Sequence, residues 1–215
     1  MINVLEIGVD GFVKNDTDRR TLQKKRRLEC SQFLNTYDLI IYCTINKKRL
    51  SINEETNNLT VYNLGGSKLF AFFRILGLAK SIVTKNNVNV VSAIDPYFCG
   101  FIAYLIGKRF KIPVNIQLHY DYFNSEYWGK IFAFRRIKRG LYSTLARYTL
   151  KRCASVRVVS TFQKEQLEKM GFNNLLIEII PTPVEIKQED SVDIDHTWAN
   201  AYRSDEKTRL LLYVG

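Results

Sequence analysis

The sequence predicts an α/β domain, doubly wound around a parallel sheet. Three observations predict it. Short runs rich in Val, Ile and Leu recur along the 215 residues, as strands buried on both faces require. Segments of helical periodicity separate them. Glycines and prolines punctuate the joins. The composition, 46% apolar and 13% aromatic, is that of a folded globule and excludes disorder or a collagen-like chain. The length suits one domain, or one domain plus a piece of another, and buries roughly 70% of the unfolded chain's surface.

The elements follow in order. Residues 3–9 (NVLEIGV) are a buried first strand, and 17–35 a polar, strongly basic helix. Residues 39–43 (LIIYC), with Asp38 ahead of them, are a second strand; 47–59 are polar and turn-rich; 60–62 are a third strand. After Gly65-Gly66 comes an apolar helix over 68–85, with Phe70, Phe73, Leu76 and Leu78 near helical spacing. Residues 88–94 are a fourth strand, and Asp95-Pro96 marks the turn into a helix over 97–109. Pro113 introduces a fifth strand, 114–118. A loop at 119–128 leads into a long basic helix, 130–152. A sixth strand (155–159), a helix (161–170) closed by Gly171, and a strand (176–180) ended by Pro181 and Pro183 complete the domain.

The domain therefore spans 1–184. Residues 185–208, acidic at first, read as a linker with a short helix. Residues 209–215 (RLLLYVG) are a new buried strand ending in glycine, which is how a Rossmann-like unit begins. That strand either opens a second α/β domain or adds to the edge of the first sheet.

Lys and Arg outnumber Asp and Glu by 32 to 21, a net charge of +11. Such an excess favours phosphates, nucleic acid or an anionic membrane surface. The four cysteines, Cys30, Cys43, Cys99 and Cys153, are far apart and form no CxxC pair, so free thiols in a reducing cytosol are expected. Met1-Ile2-Asn3-Val4 reaches Asp10 with no basic region before it, so no signal peptide is expected; no run of 18 apolar residues occurs, so no membrane span is expected. A cytoplasmic location, peripheral at the inner face of a membrane, is the expectation.

In a doubly wound sheet, ligands gather at the carboxyl ends of the strands. The candidate binding residues are thus Gly8, Asp10 and Gly11; Asp95, Pro96 and Tyr97; His119, Tyr120 and Asp121; and Ser160. The first loop, G-V-D-G, matches neither the dinucleotide fingerprint G-x-G-x-x-G nor the P-loop. Gly11 lets a backbone approach a phosphate or simply makes a turn. His119, in Q-L-H-Y-D, hydrogen-bonds a sugar hydroxyl or carries a proton, with Asp121 to orient it, or is a satisfied half-buried histidine. Asp95-Pro96 is a helix-start device and, at once, a hydroxyl or anion site. Residues 127–164 hold ten basic residues and no acidic one. The helix there puts Ile131, Phe134, Leu141, Leu145 and Tyr148 on one side, with Lys130, Arg135, Arg136, Lys138 and Arg139 as a membrane-facing set. The plainer reading is a core-facing helix with a solvated charged face.

Four segments taken together, V-S-A-I-D-P-Y-F-C-G-F-I-A-Y-L-I-G-K (91–108), I-P-V-N-I-Q-L-H-Y-D (112–121), L-A-R-Y-T-L-K-R-C-A-S-V-R-V-V-S (145–160) and I-E-I-I-P-T-P-V-E (177–185), resemble the N-terminal half of glycosyltransferase family 4 enzymes. These are two-domain GT-B proteins. L-L-Y-V-G looks like the first strand of their C-terminal, donor-binding domain. The resemblance implies a retaining, metal-independent transfer of a sugar from a nucleotide-sugar, with no cofactor, in a cleft between two Rossmann-like domains. It implies that the N-terminal domain holds a glycan or lipid-linked acceptor, that His119 lies beside the donor sugar, that the loop from Gly8 to Gly11 approaches the donor phosphates, and that basic helices dock on anionic membrane. Two departures stand out: G-V-D-G where many relatives have paired glycines, and Tyr-Asp after His119 where Gly-Asp is common. The family's paired-glutamate region and nucleotide pocket belong to its C-terminal domain, so this chain by itself is expected to be inactive. The rival readings are a non-catalytic acceptor- or lipid-binding module, or a subunit of a split enzyme. A nucleic-acid binder rests on charge alone.

Overall fold

The computed structural model describes residues 2–9, 17–43, 50–66, 68–123 and 133–182. Their strands are β1 (Asn3–Val9), β2 (Thr36–Tyr42), β3 (Leu50–Thr56), β4 (Leu59–Leu64), β5 (Val90–Ala93), β6 (Val114–Leu118), β7 (Ser155–Val158) and β8 (Leu176–Ile179). The helices are α1 (Thr17–Ser31), α2 (Lys68–Asn86), α3 (Phe98–Phe110), α4 (Ala133–Leu150) and α5 (Thr161–Lys169). The strands form one sheet in the order β3-β4-β2-β1-β5-β6-β7-β8, parallel throughout except for the antiparallel pair β3–β4.

The winding follows from right-handed crossovers. The chain steps from β1 to β2 in one direction, then returns across the sheet through α2 to β5 on the other side of β1. From there α3, α4 and α5 carry it outward to β8. Crossovers in opposite directions place their helices on opposite faces. Accordingly α2 to α5 share the larger core with Leu5, Ile7, Val91, Ile116 and Val156, while α1 contributes Leu28 to a smaller cluster with Tyr37, Leu39, Ile41, Leu59 and Val61. The direction of winding reverses between β1 and β5, which makes their carboxyl ends the topological switch point.

Packing decides the helix faces. Ala71, Ile75, Ala79, Ile82 and Val83 of α2 recur at helical spacing and are buried, whereas Phe70 and Phe73 are exposed. On α3, Ile102, Ala103 and Ile106 are fully buried. Among the described side chains of α4 the buried ones are Ala146, Thr149 and Leu150; Leu141 is 67% exposed and Tyr148 37%. Of the apolar side expected from the sequence, Leu141 and Tyr148 are thus exposed and Leu145 is half-buried, while Ile131 and the Phe134 side chain lie outside the described residues.

Most element bounds shift by one to three residues from expectation, and three differences change what a residue does. The basic helix expected to 35 ends at Ser31, where the Asn58 side chain donates to the Ser31 carbonyl at 2.6 Å and to that of Leu34 at 3.2 Å. The second strand starts at Thr36, so Asp38 lies within it and is buried, accepting from Tyr62 and Asn86. Residues 50–56, expected as turns, form the edge strand β3. Residues 183–215, including the expected linker and final strand, lie outside the described residues. Among the described residues no helix is long and apolar enough to cross a membrane.

Candidate active site

Four parallel strands, β1, β5, β6 and β7, end on the same side of the sheet, and each delivers residues that the sequence nominates. At the end of β1, Gly8 is buried beside β5; a Cβ there would stand 3.1 Å from Ile94 Cδ1. Asp10 and Gly11 lie outside the described residues.

After β5, Asp95 turns its carboxylate onto the start of α3. Its Oδ1 accepts from the backbone N–H of Tyr97 at 2.8 Å and of Cys99 at 3.3 Å. Burial pushes its carboxyl above the ordinary value, and the amides of Tyr97, Cys99 and Phe98 pull the other way. The helix can close on this residue because position 100 is glycine: a Cβ would lie 2.7 Å from the Asp95 carbonyl oxygen. Pro96 is buried, and its carbonyl accepts from the Thr149 hydroxyl of α4 at 2.6 Å. Tyr97 is only 6% exposed. Its hydroxyl donates to the Tyr122 carbonyl at 3.0 Å, and its ring meets those of Tyr122 and Tyr142 edge-on at 5.2 and 5.1 Å. Asp95, Pro96 and Tyr97 thus build the wall; each is committed to protein contacts.

After β6 come residues with part of their surface open to solvent. His119 is half-buried, Tyr120 is 56% exposed and Asp121 is half-buried. Burial pushes the His119 pKa below its ordinary value, and the positive charge of Arg157 adds to the effect. The shift favours the neutral imidazole, which has one donor nitrogen and one acceptor nitrogen. After β7, Ser160 caps α5: its Oγ accepts from the Gln163 N–H at 3.3 Å, while Gln163 Oε1 accepts from the Val159 N–H at 2.9 Å.

The structure also shows a row of polar side chains on the face of the sheet that α1 shares. Strand alternation sends Leu118, Ile116 and Ile7 into the large core and Gln117 and Glu6 the other way. Gln117 Nε2 donates to Glu6 Oε2 at 3.1 Å and to Ser92 Oγ at 2.9 Å, and Gln117 Oε1 accepts from Arg157 Nη1 at 3.1 Å. Arg157 Nε and Nη2 donate to the carbonyls of Ile180 at 3.1 Å and Pro181 at 3.4 Å. Burial raises the Glu6 pKa, opposed by the Tyr37 bond, Arg27, Gln117 and Arg157. The sequence carried a signal for this row: Glu6, Ser92, Gln117 and Arg157 each interrupt an apolar strand.

Of the proposed membrane-facing set, Arg139 is half-buried. Lys130 and the side chains of Arg135, Arg136 and Lys138 lie outside the described residues. Among the described residues no group of three or more His, Cys, Asp or Glu side chains is arranged to hold a metal ion.

The sequence model of Glycosyltransferase Family 4 matches residues 35–188. No curated protein matches the chain. Among solved structures, a sucrose-phosphate synthase from Thermosynechococcus elongatus superposes with a TM-score of 0.55 at 12% identity, over 84% of this chain and 90% of that one. The lipopolysaccharide outer core galactosyltransferase WaaB, in its apo form, gives 0.56 at 14% identity, over 87% of this chain and 47% of that one. The E. coli protein described as trehalose-6-phosphate bound with UDP-2-fluoro glucose gives 0.53 at 11% identity, over 84% and 49%. The chain spans about half the length of the last two. At such identities the likeness is one of fold.

Proposed function

Because the chain belongs to glycosyltransferase family 4, we propose that it is the N-terminal, acceptor-side domain of a retaining transferase. In this reading a hexosyl group passes from a nucleotide-sugar to a membrane- or lipid-linked glycan, without a metal or other cofactor. The observation that carries the reading is the paired arrangement of the loops after β5 and β6. Tyr97 and Tyr122 bond the two loops together, which ties the loop that begins at His119 to the loop after β5. The coverage of about half of a galactosyltransferase chain supports a second domain completing the cleft.

The chemistry follows from the side chains. The acceptor lies against the wall built by Asp95, Pro96 and Tyr97. A neutral His119 binds a sugar hydroxyl through one ring nitrogen; its lowered pKa suits hydrogen bonding better than strong general-base work. Tyr120, exposed next to it, offers a ring face and a hydroxyl to the sugar. As the bond to the donor diphosphate breaks, negative charge grows on the leaving group and is stabilised by fixed dipoles and cations, chiefly of the second domain. The exposed Leu141 beside the basic stretch of α4 supports peripheral contact with anionic lipid.

The test is an assay of the 215-residue chain with nucleotide-sugar and lipid-linked acceptor. The expected result is no turnover from this chain and turnover when the second domain is joined to it. Clear turnover from the chain by itself contradicts the two-domain reading.

A further inference from the structure

At the opposite end of the sheet from His119, where α3 ends and β6 and β7 begin, lies a hollow of about 550 Å3. Tyr104, Lys108 and Lys111 line it from the α3 side, and Arg152 and Cys153 from the segment entering β7. Three of these five carry positive charge. Among the described residues the ion pairs are Lys24–Glu55 and Lys169–Glu165, so none neutralises the hollow. From residue 96 to 164 the sequence contains just two acidic residues, Asp121 and Glu126. Asp121 follows β6 and so lies at the far end of the sheet.

One of the cations, Arg152, is held in place. The Arg152 guanidinium lies over the Tyr148 ring, 3.7 Å from its centroid, and its Nη1 donates to the Tyr148 carbonyl at 3.1 Å. The Tyr104 and Tyr148 hydroxyls stand 3.3 Å apart, and Lys108 Nζ is 6.0 Å from the centroid of the Tyr104 ring. Lys111 caps α3 in a left-handed conformation, with φ at 58°. A planar guanidinium fixed by stacking loses little freedom on meeting an oxyanion, and clustered like charges draw one in. The volume lies in the range of small-molecule sites, about 300–1,000 Å3, and so has room for more than a bare phosphate ion.

We propose that this hollow binds a phosphate-bearing organic anion, with Lys108, Lys111 and Arg152 receiving the phosphate and Tyr104 flanking the organic part. The site is separate from the candidate cleft, at the other end of β6 and β7, and stands whether or not the transferase reading holds. A soluble phosphate ester and a lipid headgroup share this chemistry.

NMR titration of the folded 215-residue chain separates the two sources. One arm uses phenyl phosphate, the other vesicles of phosphatidylglycerol in phosphatidylcholine, with phosphatidylcholine vesicles as control. The expected result is saturable perturbation of the amides of Tyr104, Lys108, Lys111 and Arg152 by one of the two probes. The double variant Lys108→Glu, Arg152→Glu then weakens binding about tenfold or more, as loss of charge-assisted bonds requires. Lys111→Gln, an exposed single change outside α3, weakens it to a lesser degree, and His119→Ala leaves it unchanged. Perturbation by phenyl phosphate assigns the site to a soluble ester; perturbation by the anionic vesicles alone assigns it to a headgroup. The proposal is overturned if neither probe perturbs these amides, or if the folded variants bind as the wild type does.

Discussion

The Tyr97 hydroxyl donates to the Tyr122 carbonyl at 3.0 Å, and the Tyr122 hydroxyl donates to the Ile94 carbonyl at 3.4 Å. Each tyrosine thus holds backbone of the other's loop, and the two rings meet edge-on at 5.2 Å. The loop that carries His119 is therefore anchored to the loop that carries Asp95 by two hydrogen bonds and one ring contact. Loops at the ends of parallel strands have no ladder to fix them, so such a clasp sets their spacing.

Removing one hydroxyl tests the clasp. Tyr97→Phe keeps the ring but leaves the Tyr122 carbonyl without its donor. A buried carbonyl left unpaired costs about 1–3 kcal/mol. Urea denaturation should show a loss in that range at unchanged m-value. An unchanged midpoint means that the bond does not stabilise the loop pair.

Gly100→Ala tests how α3 closes on Asp95. The added Cβ would meet the Asp95 carbonyl oxygen at 2.7 Å, and that oxygen belongs to backbone, which cannot rotate away. Overpacking of this kind costs about 1–3 kcal/mol. By contrast, Gly77 of the neighbouring helix has nothing within 4 Å of its Cβ position. Gly77→Ala, in an exposed helical turn, should raise stability by about 0.5–1 kcal/mol. Thermal unfolding of the pair checks both signs, and equal effects contradict the packing described.

The pH dependence of His119 follows from its lowered pKa. The unfolded imidazole, with a pKa of about 6.5, takes up its proton before the folded one does. Its contribution to stability is thus fully present above about 6.5 and is lost as pH falls from there through the folded value. An NMR titration of the His119 ring should give an apparent pKa below about 6.5. Arg157→Gln should raise that pKa without restoring it, because burial is the larger cause. A value at or above the ordinary one in the wild type contradicts the electrostatics described.

Sequence and structure agree where one physical rule dominates. The strands at Asn3–Val9 and Val114–Leu118 were legible to the residue, because each is a short apolar run with a hard boundary, Pro113 in the second case. The edge strand β3 (LSINEET) was not, because it pairs on one side only and leaves Leu50 43% and Ile52 53% exposed, so no apolar run marks it. On α4 the small residues Ala146 and Thr149 are buried, and a count of large apolar residues passes over them. In the candidate site, strand-end position was enough to nominate His119, Tyr120 and Asp95. It did not reveal that Tyr97 would be consumed in a cluster with Tyr122 and Tyr142, since those rings come from three elements far apart in the chain. Arg157, which shapes the His119 charge state, sits mid-strand and is brought close only by the parallel pairing of β6 with β7.

The central claim is that His119 faces the reacting sugar from the acceptor-side wall. The most direct measurement is the transfer rate of the two-domain protein with His119→Ala, compared with wild type at equal folded fraction. The account predicts a fall in kcat/KM on the order of a hundredfold or more. Transfer at the wild-type rate contradicts it.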